Sequence, residues 1–407
     1  MRVALISHEF PPETGGGGIG TYLSQITRLL ARAGHDVQIF AGSIGPSAQT
    51  KLPNGARLHR IATGPEPDFR SAVVTPFLAE HRALPFDVIE GTDFDASALE
   101  IKRARPEIPY VVKLHTPRFV IDELHHTSPD GWSQLRMALG ALRRGRWPRT
   151  VPIRDQPAAQ AELAAVRLAD EIAAPSQAIA DAALQWTPLD RDRISVFPYP
   201  YEPGPELLRI PAGGTTHRVT YLGRLEERKG VIDLADAIPL VLAQAPGTRF
   251  RFIGRSVPHG PAGNDMQAFL RARLGPHAAQ VEFTGARAPE EIPGLLAETD
   301  ILVAPSHWES FGLVCCEGLA AARAVIGSAN GGMAEILADG RYGVLVPPHR
   351  TDVIARALLA LLADPVRRTA LGEAGRRHVT DTYAADRVVA DQIASYQRAI
   401  ARVRPPN

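Results

Sequence analysis

The sequence predicts an α/β protein of two doubly wound units facing a central cleft, on three observations. At 407 residues the chain exceeds the size at which one core keeps growing, so two domains are expected. Short β-branched runs alternate with longer helical patterns almost from end to end, and apolar runs separated by helices read as parallel strands covered on both faces. Between two such series lies "FPYPYEPGPELLRIPAGGTT", residues 197–216, with five prolines, three glycines and no period, the composition of a linker.

In chain order, "RVALIS" is the first strand, followed by a glycine loop, the helix "TYLSQITRLLARAG" and the strand "DVQIFAG". Further strands are expected at "FDVIEG", "YVVKLH", "EIAAPS" and "ISVFPY". The second half restarts with "RVTYLG", a helix near 231–245, then "RFRFIG", "VEFTG", "ILVAPS", "AVIGS" and "GVLVP". "VIARALLALLA" at 353–363 carries Arg356 and has helical periodicity, so it reads as a core-facing helix. No run reaches the roughly 18 apolar residues needed to cross a bilayer. The last pattern, "AADRVVADQIASYQRAIARV", is a long amphipathic helix expected to pack back on the first domain. The expected division is therefore 1–198 with the helix 385–407, and 215–384. A ligand is expected at the carboxyl ends of the two sheets.

Hydrophobic residues make up 45% of the chain and charged residues 22%, the mean hydropathy is −0.09 and the net charge +1. That balance argues against a general nucleic-acid binder. The strand directly after Met1 is too short for a signal-peptide core. Cys315 and Cys316 are adjacent and lack metal-like spacing. They read as small buried hydrophobes in a reducing, cytoplasmic protein.

The glycine loop "TGGGGIG" contains Gly15, Gly17 and Gly20 in Gly-x-Gly-x-x-Gly spacing, between a strand and a helix. A dinucleotide enzyme needs an acid at the end of the next strand to hold the ribose, but "VQIFAGS" ends in Gly42 and Ser43. What survives is close backbone approach and a helix N-terminus offered to an anion. In "VTYLGRLEERKG", Arg224 and Lys229 follow the first strand of the second series and suit a diphosphate. Glu226, Glu227 and Arg228 between them read as solvated.

"APSHWESFGLVCCEGLA" places Glu309 in a loop and Glu317 about two turns into the next helix. As helical positions they would lie roughly 12 Å apart, whereas a glycosidase pair needs about 5–9.5 Å. Two grips on an extended ligand fit better. Glu317 suits a ribose diol, the N–H groups of Phe311, Gly312 and Leu313 suit phosphate, and Glu309 faces the group beyond.

At these residues the sequence resembles the retaining, GT-B-fold glycosyltransferases of family 4. "ESFGLVCCEGLA" is similar to their E-x7-E signature and "GRLEERKG" to their G-R-L-x-x-x-K-G. "PETGGGGIGTYLSQITRLLARAGHDV" resembles their N-terminal loop and helix, "LHTP" their first-domain histidine motif, and "GGMAEILADGRYGVLVPP" the segment after the signature. Together these span nearly the whole chain in the family's order. The resemblance implies two Rossmann-like domains, with an acceptor-side N-terminal domain and a C-terminal domain for a nucleotide-sugar donor. It implies that Arg224 and Lys229 hold the diphosphate and Glu317 the ribose, and that Glu309 with Phe311, Gly312 and Leu313 meets sugar and distal phosphate. Gly17 and Gly18 would lie beside the phosphates and His115 beside the anomeric carbon. The loops at Gly254 and Arg287 are expected to flank the base. Catalysis is assigned to His115, Arg224, Lys229 and Glu309, with no cofactor and no metal. Asp93-x-Asp95 mimics a metal motif of another glycosyltransferase fold, but the two cations already supply the positive charge.

"DVIEGTDFD", with Glu90, Asp93 and Asp95, departs from the family's histidine-rich segment and is expected to touch the acceptor, which stays unidentified. His125–His126 reads as an exposed loop. The basic stretch 136–154, with Trp147 and no acid, reads either as a solvated insertion or as a contact for anionic lipid. Besides sugar transfer to a glycan, lipid-linked or small-molecule acceptor, two readings stay open: a nucleotide-sugar epimerase or phosphorylase, and a non-catalytic nucleotide-sugar binder.

Overall fold

A computed structural model describes residues 1–15, 17–63, 68–118, 120, 156–258, 260–263 and 265–403. The chain divides into two compact units, Met1–Phe197 with Val389–Asn407, and Pro198–Val388.

The first unit is built on an eight-stranded sheet: β1 (Arg2–Ser7), β2 (Asp36–Ser43), β3 (Ala48–Lys51), β4 (Arg57–Ala62), β5 (Val88–Thr92), β6 (Tyr110–Lys113), β7 (Glu171–Ala174) and β8 (Ile194–Val196). Their spatial order is β3-β4-β2-β1-β5-β6-β7-β8. Leu5 in β1 pairs with Ile39 on one side and Glu90 on the other, all parallel. Every residue of β1 is buried, as expected of an interior parallel strand clad by helices. The sequence reading missed β3 and β4, joined through the Asn54-Gly55 turn with β3 antiparallel to β4. All four residues of β3 are exposed, so it carries no apolar alternation to reveal it.

The second unit holds β9 (Arg218–Leu222), β10 (Arg249–Ile253), β11 (Val281–Gly285), β12 (Ile301–Ala304), β13 (Ala324–Ser328) and β14 (Val344–Val346), in the order β11-β10-β9-β12-β13-β14. All five pairings are parallel. The strand order reverses between β9 and β12, the switch point where doubly wound sheets bind ligands outside their carboxyl ends. Val219, Phe250, Val303 and Ile326 form the core with Ile238 and Leu358 from the covering helices.

The Pro/Gly-rich stretch read as a linker is in fact packed into the second unit. Tyr199, Tyr201, Leu207 and Ile210 are buried, and the Tyr199 ring lies 5.1 Å from that of Phe311. Arg376 donates to the carbonyl of Ile210 at 2.5 Å and Arg323 to that of Gly213 at 2.5 Å. These guanidinium bonds satisfy carbonyls that no regular structure pairs.

The helix Ala385–Val403 begins in the second unit and ends in the first. Within the first unit Tyr396 donates to Glu90 Oε2 at 2.8 Å and Arg398 to Glu171 Oε1 at 2.8 Å. Among the described residues no helix is long and apolar enough to cross a membrane. The basic stretch 136–154 and His125–His126 lie outside the described residues.

Candidate functional site

In the first unit the loop after β1 feeds the helix Gly18–Arg32, which has neither a side-chain cap nor an acidic residue in its first turn. Among the described residues its N-terminal N–H groups therefore have no side-chain acceptor, the condition under which a helix start can bind an anion. The glycines divide by cause. Gly15 has φ +72° and a Cβ there would lie 2.6 Å from Glu9 Cβ, while one at Gly20 would lie 3.1 Å from Pro11 Cδ. Gly17 and Gly18 have nothing within 4 Å of that position. The outer glycines serve the fold and the inner pair leaves room at the helix start.

His115 follows β6 and is buried. Its N–H donates to Asp93 Oδ1 at 2.9 Å, and its ring meets Tyr22 edge-on at 5.2 Å. Burial, and then the Lys113 ammonium, pull its pKa down to about 3, so the imidazole is neutral near pH 7. Burial pushes Asp93 up to about 7 against bonds from Phe94 and His115.

Glu90 and Asp93 do not face outward, as the reading of "DVIEGTDFD" expected. Glu90 is buried and accepts from the hydroxyls of Tyr22 and Tyr396 at 2.9 and 2.8 Å. Asp93 is spent on backbone N–H groups. Asp95 reaches the surface, where it pairs with Arg118. Glu162, buried below, accepts from the N–H of Arg118 at 2.7 Å and is pushed up to about 8 by burial and by Asp93.

In the second unit the site forms at the switch point. After β9 come Gly223 and the exposed Arg224, whose guanidinium lies 3.3 Å from Glu226. The turn Glu227–Lys229 ends at Gly230, with φ +70° and no room for a side chain against the Pro305 carbonyl. That close approach seats Lys229 beside the loop leaving β12. Lys229 Nζ is in direct contact with Glu309 Oε1. Glu309 is buried and also accepts from Ser306 Oγ at 3.2 Å and Arg228 at 3.4 Å. Burial raises the Glu309 pKa, but Lys229, Arg228 and the hydrogen bonds together hold the carboxyl below its usual range. Burial holds Lys229 below its ordinary value despite Glu309.

Arg228 is not solvated, contrary to the sequence reading. It is buried and donates to Trp308 O at 3.0 Å and Glu226 Oε1 at 2.8 Å. Reading also missed Gly331 and Gly332, which lie against the Glu309 strap. Gly332 N–H donates to Glu309 O at 2.8 Å, and a Cβ at Gly332 would lie 2.5 Å from Ser310 O. The signal was the glycine pair in "NGGMAEI".

The strap continues into the helix Leu313–Ala320, entered through Gly312 at φ +104°, with no side-chain cap and no acid in its first turn. The Phe311 side chain is buried against Tyr199 and Tyr383, so only its backbone can meet a ligand. The carboxyl of Glu317, half-buried in this helix, has no hydrogen bond or ion pair among the described residues. Burial alone pushes its carboxyl up to about 7. Glu309 is thus neutralised inside the protein and Glu317 is not. Cys315 and Cys316 beside it are buried free thiols.

The loops after β9, β10 and β11 are tied together. Gly223 N–H donates to Ile253 O and Gly254 N–H to Gly285 O, each at 2.9 Å. Gly254 has φ +147° and abuts the Gly223 carbonyl. Arg287 is exposed and pairs with Glu291 at 3.3 Å. The second unit therefore brings Lys229 and Glu309 into contact at one strand edge, with Arg224 and Gly254 on adjoining turns and the Phe311–Leu313 backbone with Glu317 on the following helix. Gly17, Gly18 and His115 belong to the first unit.

Residues 216–364 match the family model "Glycosyl transferases group 1", and residues 17–200 match "Glycosyl transferase 4-like domain". The chain is 28% identical to a D-inositol 3-phosphate glycosyltransferase of Gordonia bronchialis, covering 98% of this chain and 89% of that protein. It is 25% identical to an MMP alpha-(1->4)-mannosyltransferase of Mycolicibacterium hassiacum, over 99% of each. Among solved structures, a sucrose-phosphate synthase from Thermosynechococcus elongatus superposes with TM-score 0.77 at 22% identity, over 98% of this chain and 99% of that one. Anabaena HepE in complex with UDP and glucose gives 0.67 at 16%, over 97% and 100%.

Proposed function

The chain belongs to the group 1 glycosyl transferases, GT-B-fold enzymes of biosynthetic sugar transfer, and from that membership we propose that it moves a sugar from a nucleoside-diphosphate donor to an acceptor hydroxyl with retention at the anomeric carbon. The observation that carries the reading is Glu317. A carboxylate with no partner among the described residues stands in a helix whose N-terminus is uncapped, and the strap leading into that helix carries Glu309, paired with Lys229. A ribose diol donating two hydrogen bonds supplies what Glu317 lacks, and the helix start and Lys229 take the phosphates.

In this reading Arg224 swings from Glu226 to the diphosphate, as its exposure allows. Lys229 is shared between Glu309 and the distal phosphate, and Glu309 keeps its other oxygen for the sugar. The Gly17–Gly18 helix start supplies further N–H groups. The bond from the anomeric carbon to the phosphate oxygen breaks as the acceptor oxygen bonds on the same face. The acceptor's proton passes to the departing phosphate. Charge grows on that phosphate, and preorganised cations and N–H dipoles stabilise it there. His115, neutral at working pH, positions the sugar and transfers no proton. Arg224 and Lys229 do the work of a divalent ion in this step, so no metal is assigned to it. The loops at Gly254 and Arg287 flank the base. The setting is cytoplasmic, with the basic stretch 136–154 as the segment to test by salt-sensitive sedimentation with anionic liposomes.

The test is to incubate the protein with UDP-, GDP- and ADP-sugars and a panel of hydroxyl acceptors that includes an inositol phosphate. Acceptor-dependent NDP release, with the donor's anomeric configuration kept in the product by NMR, is expected. Sugar epimerised without an acceptor, phosphate-dependent cleavage, or tight NDP-sugar binding with no turnover would each refute transfer.

A further inference from the structure

A second cluster of ligating groups lies in the second unit, outside the residues assigned to the donor. Asp233 stands in the first turn of the helix Val231–Leu242. His307 lies in the loop after β12, two positions before Glu309, and His349 lies between β14 and the helix Thr351–Ala363. Asp233 Oδ2 is 2.7 Å from His307 Nε2 and 3.9 Å from His349 Nδ1, and one ligand atom of each of the three lies within 4.8 Å of the others. The imidazole rings are 3.8 Å apart between centroids. His307 is buried, Asp233 half-buried and His349 exposed, so one side opens to solvent. His349 also has φ +57°, a left-handed conformation that a non-glycine residue keeps only where its surroundings hold it. An Asp–His pair by itself does not require a second imidazole turned onto it.

We propose that Asp233, His307 and His349 form a binding site for one divalent transition metal, with Zn²⁺ the best match to two imidazoles and a carboxylate. Water from the open side completes the tetrahedron. Ligand atoms about 2.0–2.2 Å from a shared zinc stand about 3.5 Å apart, so the exposed His349 ring closes onto the ion by roughly 1 Å. Binding replaces the hydrogen bond between His307 Nε2 and Asp233 Oδ2 with a bond from each atom to the ion. The ion joins three connections at the carboxyl edge of the sheet, including the loop that carries Glu309. It therefore acts as a clamp on that loop and takes no part in the transfer step.

Tag-free protein stripped with a chelator is titrated with Zn²⁺ by calorimetry and with Co²⁺ by visible absorption. One equivalent is expected, with intense tetrahedral Co²⁺ bands and a rise in Tm on adding Zn²⁺. His349→Ala, at an exposed position, should keep the metal-free Tm and weaken Zn²⁺ binding at least tenfold, and Asp233→Asn should do the same to binding. No Co²⁺ band in the wild-type protein, or equal affinity in His349→Ala, overturns the site. None of these readouts uses turnover, so they are independent of the transfer reading.

Discussion

Replacing Glu317 by Gln should make the empty protein more stable and the liganded site weaker at once. Burial raises the Glu317 pKa from 4.5 to about 7. Below pH 4 the carboxyl is protonated in both folded and unfolded chains, and it contributes no pH dependence. As pH rises from 4.5 towards 7 the unfolded chain ionises first, so the folded state loses stability. Above pH 7 the full penalty is present. At 1.36 kcal/mol per unit that penalty is at most about 3–4 kcal/mol, and solvent access to a half-buried group reduces it to about 1–2 kcal/mol. Gln removes it and keeps the shape. Thermal unfolding at pH 8 should show Glu317→Gln melting a few degrees above wild type, at about 2–4 °C per kcal/mol for a unit of this size. The two should converge near pH 4. Hydrogen bonds to a charged group contribute about 1.5–3 kcal/mol, so NDP binding by calorimetry at pH 8 should weaken about 10- to 100-fold. Wild-type affinity should also rise from pH 6 to 8 more steeply than that of the variant. A variant that binds NDP like wild type, or that melts lower at pH 8, refutes the account of Glu317 as a carboxylate held for a ligand.

The other expectations concern the groups around it. Glu309→Gln leaves Lys229 and Arg228 without their shared carboxylate and should cost about 3 kcal/mol of stability, near the lower end for a broken buried pair. Chemical denaturation checks this, and an unchanged midpoint would show the pair to be dispensable. Gly230→Ala, at φ +70° against Pro305 O, should destabilise by about 2 kcal/mol or more, whereas Gly18→Ala, facing open space, should leave Tm within a degree or raise it and weaken NDP-sugar binding. Equal Tm losses in the two would contradict the division of the glycines. His115→Asn should lower kcat. Because the imidazole titrates near 3, the kcat profile of the wild type between pH 5.5 and 8 should show no step that this variant abolishes.

Much of the architecture was legible because parallel strands covered on both faces leave continuous apolar runs, as in "RVALIS" and "ILVAPS". The order of motifs pointed to the family, and the Lys229 and Glu309 positions could be quoted from short strings because each sits just past a strand end. Three things could not be read. The edge strand β3 has no apolar face. Arg228 looks like its charged neighbours until the chain turns at Gly230 and buries it under Trp308. Glu90, in a loop expected to meet an acceptor, is bound by Tyr396 from the far end of the chain. Local pattern sets the strands, helices and turns, since periodicity and glycine conformations act over a few residues. The partner of each charge is set by which connections the sheet order brings together. Glu309 is paired with Lys229, and Asp233 meets His307 from 74 positions away, because β9 and β12 are neighbours, and no spacing within a single segment encodes that.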